Sequence, residues 1–177
     1  MKSKVTKKNP YQVWLRYRHD MFPKISSAKI VKVINSVFSE IYGLYHKKDE
    51  VSAYFCLADS KGLIFSYRLG FPLPDQEDVL SFALKSVEQL MTWDHVYSSY
   101  QIKGPSHVPY SEAIWVGVGP DLIMSLASQQ LTQEEMIAFL IKSGKILGLL
   151  DNEQIRKILK NNKAGKKIYR RLKISTL

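Results

Sequence analysis

The chain has 177 residues and a mass of 20.4 kDa, the length of one domain able to bury its own core. Its single cysteine, Cys56, excludes an intramolecular disulfide and points to a reducing compartment, with a cytoplasmic location expected. The formal net charge of +10 divides into +6 over residues 1–24, −5 over 25–155 and +9 over 156–177, which excludes a uniformly basic globule.

The first segment, residues 9–22, is aromatic and basic. Tyr11, Trp14, Leu15 and Arg18 fall at i, i+3, i+4 and i+7, a helical stripe. Pro10 suits a first helical turn with Asn9 as its cap, and Pro23 ends the segment. No apolar run of signal-peptide length follows the lysine-rich start.

Residues 26–45 predict the clearest helix, with Ile30, Val33, Ile34, Val37, Phe38, Ile41 and Leu44 on one face and Ser26 or Ser27 as cap. Residues 51–58 form a nearly continuous apolar run and residues 63–68 a second β-prone run. The turn Asp59-Ser60-Lys61-Gly62 between them predicts a hairpin, with Gly62 at the position where positive φ is easiest. After Pro72 and Pro74, Asp75 opens a second helix carrying Val79, Leu80, Ala83, Leu84, Val87, Leu90 and Met91.

Residues 93–109 are irregular, with one short strand expected at 97–103. Two more strands are expected at 113–118 and 122–126, around Gly119-Pro120-Asp121. Thr132 with Glu135 three residues on is a capping box, which starts a third helix that Gly148 stops. Asp151 caps a short helix carrying Ile155, Ile158 and Leu159. Beyond Lys160 the chain is expected to be loosely ordered, with Ile168, Tyr169, Leu172 and Ile174 able to support an induced helix or strand.

The expected fold is α/β in the α+β sense: a central antiparallel sheet of about five strands flanked by helices, in the order α-β-β-α-β-β-β-α. The expected organisation is a basic aromatic N-terminal arm or helix over 1–24, a single α+β domain over 25–160 and a basic tail over 161–177.

The span from Ile30 to Leu147, including Asp59-Ser60-Lys61-Gly62, resembles a profilin-like fold of the Roadblock type. That resemblance implies a small dimerising regulator in protein assemblies. Ala58-Asp59, Gly62, Arg68 and Ala83-Leu84-Lys85 resemble the pattern of GlcG/HbpS-like domains, with the arginine displaced by one position and the lysine two residues after the alanine. That resemblance implies a small-ligand sensor for heme or cobalamin, with a pocket near Tyr54, Arg68 and residues 93–109. Fold resemblance alone does not transfer function.

The remaining chemistry is sparse. His19, His46, His95 and His107 share no metal-ligand spacing, and one cysteine cannot complete a zinc set, so no metal or other cofactor is expected and the histidines read as surface or loop residues. Cys56 lies within an apolar run, where a thiol is inert without an electropositive neighbour. No Gly-x-Ser-x-Gly elbow occurs, and no catalytic residue is assigned. The basic arms carry the strongest signal. Lys160, Lys163, Lys166, Lys167, Arg170, Arg171 and Lys173 place seven cations in fourteen residues, with Tyr169 among them. Such a run neutralises phosphates and releases counterions, and the tyrosine can stack on an unpaired base. Lys7, Lys8, Arg16 and Arg18 form a secondary basic arm, whose Asn9-Pro10-Tyr11 start resembles the first helix of a high-mobility-group box.

The expected function is a non-enzymatic interaction or regulatory module. Its arms would bind an anionic macromolecule, RNA or DNA ahead of a membrane surface or an acidic protein. Its body would mediate dimerisation or protein binding. Alternatives are the GlcG-like ligand sensor, an enzyme of another class, and a basic tail that is only a solvated, solubilising segment. If the tail acts alone, deleting residues 161–177 abolishes nucleic-acid retention and leaves the melting temperature unchanged.

Overall fold

The computed structural model describes residues 25–59, 62–71, 99–102, 112–119 and 122–174. The aromatic N-terminal segment and the helix expected from Asp75 lie outside these residues. The architecture is mixed α+β, with one antiparallel sheet flanked by helices. Helix α1 spans Ser27–Tyr45 and is followed by strands β1 (Val51–Asp59) and β2 (Gly62–Phe71). Strands β3 (Ser99–Ile102), β4 (Glu112–Gly119) and β5 (Leu122–Ser128) come next. Helices α2 (Gln133–Ile146), α3 (Asn152–Lys160) and α4 (Lys163–Arg171) complete the described chain.

The strands lie in the order β2-β1-β5-β4-β3. Four of them have seven to ten residues, while β3 is a four-residue edge strand. Period-two alternation divides each strand between two faces. On one face Ala53, Phe55 and Leu57 stand beside Leu126 and Met124 of β5 and join Ile114 and Val116 of β4. The apolar stripes of α1 and α2 pack here. Phe55 anchors the contact, with edge-to-face partners Phe65 at 6.0 Å and Phe139 of α2 at 6.1 Å between ring centroids.

Local chemistry sets the element ends. The Ser26 hydroxyl accepts the Lys29 N–H at the start of α1. The capping box of α2 is complete, because Thr132 Oγ1 accepts the Glu135 N–H and the Glu135 carboxylate accepts the Thr132 N–H. At its far end Gly148 takes φ +73°, while the N–H groups of Leu149 and Leu150 return to the Gly144 carbonyl. Gly70 has φ +89°, and a Cβ there would overlap the Val51 carbonyl across the β1–β2 pair. That close approach is why β2 carries a glycine inside the ladder.

The chain after Lys160 corrects the loosely ordered expectation. Asn162 caps α4 through its side-chain oxygen, which accepts the Gly165 N–H at 2.7 Å. Gly165 and Leu172 are buried, and α4 packs against α2. The inward residues of this segment, Gly165, Ile168 and Leu172, are few but spaced i, i+3 and i+7, enough to seat a helix on a preformed face.

Candidate anion-binding site

Two short helices, α3 and α4, carry most of the described basic surface. On α4 the exposed cations Lys163, Lys166, Lys167, Arg170 and Arg171 fall at i, i+3, i+4, i+7 and i+8. They form one continuous stripe, because those positions share one side of a 3.6-residue helix. On α3 the apolar residues Ile155, Ile158 and Leu159 turn inward and leave Arg156, Lys157 and Lys160 exposed. Lys157 is engaged with Glu153 at 2.9 Å, whereas Arg156 lines a groove shared with α4.

That groove has a volume of about 280 Å³ and is lined by Lys145, Asn152, Ile155, Arg156, Leu159, Lys166, Tyr169 and Arg170. Four cations, from α2, α3 and α4, converge on it, and no carboxylate is among its lining residues. Four like charges lining one groove create a local positive potential that favours an anion. Ile155 and Leu159 are buried, so the groove combines a recessed apolar part with basic edges.

Tyr169 also meets a cation of α2. The Lys142 ammonium lies 4.8 Å from its ring centroid, a cation–π contact. Burial lowers the Lys142 pKa from the usual lysine value, with Lys145 adding to the shift and Glu40 opposing it. Glu40 also secures the end of the basic helix. Its two carboxylate oxygens accept the backbone N–H groups of Lys173 at 2.6 Å and Ile174 at 2.7 Å.

A second groove, of about 410 Å³, lies beside the end of α1 and is lined by residues including Phe38, Tyr42, Lys47, Lys48, Asp49 and Glu50. Its two lysines are matched by two carboxylates, so it lacks the one-signed character of the first.

Of the residues singled out from sequence, Lys166, Tyr169 and Arg170 meet in the α3–α4 groove. Lys160, Lys163, Lys167, Arg171 and Lys173 are exposed around it without lining it. Lys7, Lys8, Arg16 and Arg18 lie outside the described residues. Tyr54 and Arg68 are directly opposite one another in the β1–β2 register, on the sheet face away from α1 and α2. Neither lines either of these two grooves. Sequence reasoning missed Lys145, Asn152 and Arg156 as groove residues. Arg156 could have been found by extending the basic run one helix back, whereas Lys145 joins it only through the packing of α4 on α2.

His46, read from sequence as a surface or loop histidine, stands in the loop position that caps the end of α1 and is partly buried. Its Nε2 is 2.9 Å from Glu135 Oε2 and its Nδ1 is 3.4 Å from Asp49 Oδ2. It ties α1 to the capping box of α2. Among the described residues no three His, Cys, Asp or Glu side chains gather as a metal site. No described helix is long and apolar enough to cross a membrane.

Cys56 is fully buried in β1, and burial pushes its thiol well above the usual range, against a smaller lowering by a hydrogen bond with Ser125. A thiol-directed reagent at pH 8 is therefore expected to modify the native chain at least about a hundredfold more slowly than the denatured chain, because reaction waits on opening. Equal rates in the two states would show that Cys56 is accessible.

No protein-family model, curated protein sequence or solved structure matches this chain.

Proposed function

We propose that this chain is a non-enzymatic interaction module that holds the phosphate backbone of a nucleic acid on its α3–α4 surface. The observation that carries the reading is the α3–α4 groove, where Lys145, Arg156, Lys166 and Arg170 converge without a carboxylate. The stripe of Lys163, Lys167 and Arg171 extends the same field along α4. Phosphates replace condensed counterions at such a surface, which makes binding strong at low salt and tolerant of sequence. A flat anionic membrane would meet the outer stripe and leave the recessed groove empty, so nucleic acid uses more of what the surface offers.

The body fits a supporting role. The strand order β2-β1-β5-β4-β3 and the helices on one sheet face support a profilin-like arrangement, which would present the basic helices on a rigid platform.

The test is fluorescence anisotropy with a mixed-sequence 20-nucleotide probe, titrated between 50 and 200 mM salt. Four groove contacts predict a slope of log affinity against log salt of about −3 to −4. Absence of binding at 50 mM, or capture by phosphatidylserine vesicles with none by the oligonucleotide, would overturn the reading.

A further inference from the structure

We infer that the α3–α4 groove takes a single, unpaired strand in preference to a duplex, with Tyr169 as the platform for one base. This inference rests on the nucleic-acid reading above and specifies the form of the ligand. The groove is not only basic. Ile155 and Leu159, each 5% exposed, and the half-buried ring of Tyr169 give it a recessed apolar part, while Arg156, Lys166 and Arg170 contribute the charge.

Such a site suits a ligand with two kinds of surface, a charged backbone and a flat apolar face. An unpaired nucleotide offers both at once. In a duplex the base faces are stacked inside the helix, and a protein surface meets phosphates, sugars and base edges instead, so the apolar part would stay unused. The volume of about 280 Å³ limits occupancy to a short stretch of one strand.

The tyrosine is prepared for this role. Lys142 sits against its ring and fixes its position, which reduces the ordering cost when a base arrives. Stacking on a tyrosine needs only a π-face and is indifferent to base identity. Asn152 is the one uncharged polar side chain there apart from the tyrosine hydroxyl.

Two variants test the inference: Tyr169→Leu, which removes the ring but retains an apolar side chain, and Tyr169→Phe, which retains the ring. Each is titrated by anisotropy against a 12-nucleotide oligothymidylate and a 12-base-pair duplex. Native folding is verified by thermal melting. Tyr169→Leu is expected to weaken oligothymidylate binding about tenfold and duplex binding less than twofold. Tyr169→Phe should bind both like the parent. Equal losses on the two ligands, no loss on the single strand, or a loss with phenylalanine as large as with leucine would overturn the single-strand inference. In those cases the nucleic-acid reading survives if Lys166→Glu with Arg170→Glu still weakens binding. If the parent chain holds neither ligand at 50 mM salt, both readings fall.

If Tyr169→Leu lowers the melting temperature by more than a few degrees, Lys142→Met supplies an independent measurement. It removes the ammonium that contacts the ring and leaves the ring itself. A larger loss on the single strand than on the duplex supports the inference, because the ring is no longer held for stacking, and equal losses on the two ligands or no loss on either overturns it.

Discussion

Replacing Lys166 and Arg170 together by glutamate is expected to reduce nucleic-acid affinity on the order of 50-fold at about 0.1 M salt. Each phosphate contact contributes roughly 0.7 to 0.9 decades at that salt through counterion release, and two are lost. The introduced carboxylates add repulsion. Both side chains are exposed, so the fold should survive, with a small cost from a glutamate near the C-terminal end of α4, where the helix dipole disfavours it. The informative control is Lys47→Glu with Lys48→Glu, beside the other groove. It changes net charge by the same amount at a different place. A loss below about twofold there would assign binding to the α3–α4 surface. Equal losses in both variants would mean that net charge alone retains the polyanion.

Deleting residues 161–177 should lower the melting temperature by more than 10 °C, contrary to what a free basic tail would do. The deletion removes Leu172, which is 1% exposed, together with the packing of α4 on α2 and the Tyr169 contact to Lys142. Leu172→Ala alone should cost about 2 to 3 kcal/mol. For a chain of this size that corresponds to a fall of about 4 to 12 °C. The complete deletion exposes more of the face of α2 and must exceed it. An unchanged transition by calorimetry would show that α4 contributes nothing to the body. It follows that truncation is a poor test of binding here, since it removes charge and core together. Exposed charge reversals separate the two.

Much of the framework was legible from local pattern. The stripe of Ile30, Val33, Ile34, Val37 and Ile41 marks α1 because a helix buried on one face repeats its apolar residues every three to four positions. Thr132 with Glu135 and Asp151 mark helix starts because orphan N–H groups require acceptors there. The hairpin was legible through Gly62, which takes φ +127°. What local pattern could not carry was partnership between distant segments. Helix α4 has only a few inward residues, and its stability depends on α2, so its own composition suggests a solvated tail. The groove is missed for the same reason: Lys145 and Lys166 belong to separate helices, and only packing makes them neighbours. His46 is similar. No spacing rule connects it to Glu135, 89 residues away, yet that contact ties the end of α1 to the start of α2.

The fork of Glu40 on Lys173 and Ile174 makes the basic helix part of a mechanical circuit. Ile174 has φ +31°, a conformation disfavoured for a β-branched residue, and Glu40 accepts its N–H and that of Lys173 in two charge-assisted hydrogen bonds. A pull on the chain beyond residue 174 loads these two bonds before it reaches α4. When they yield, the force next reaches α4 and its packing on α2. The sheet would be loaded only after that. A tether attached there would therefore record the loss of the groove as a distinct early step, with Glu40 setting its threshold.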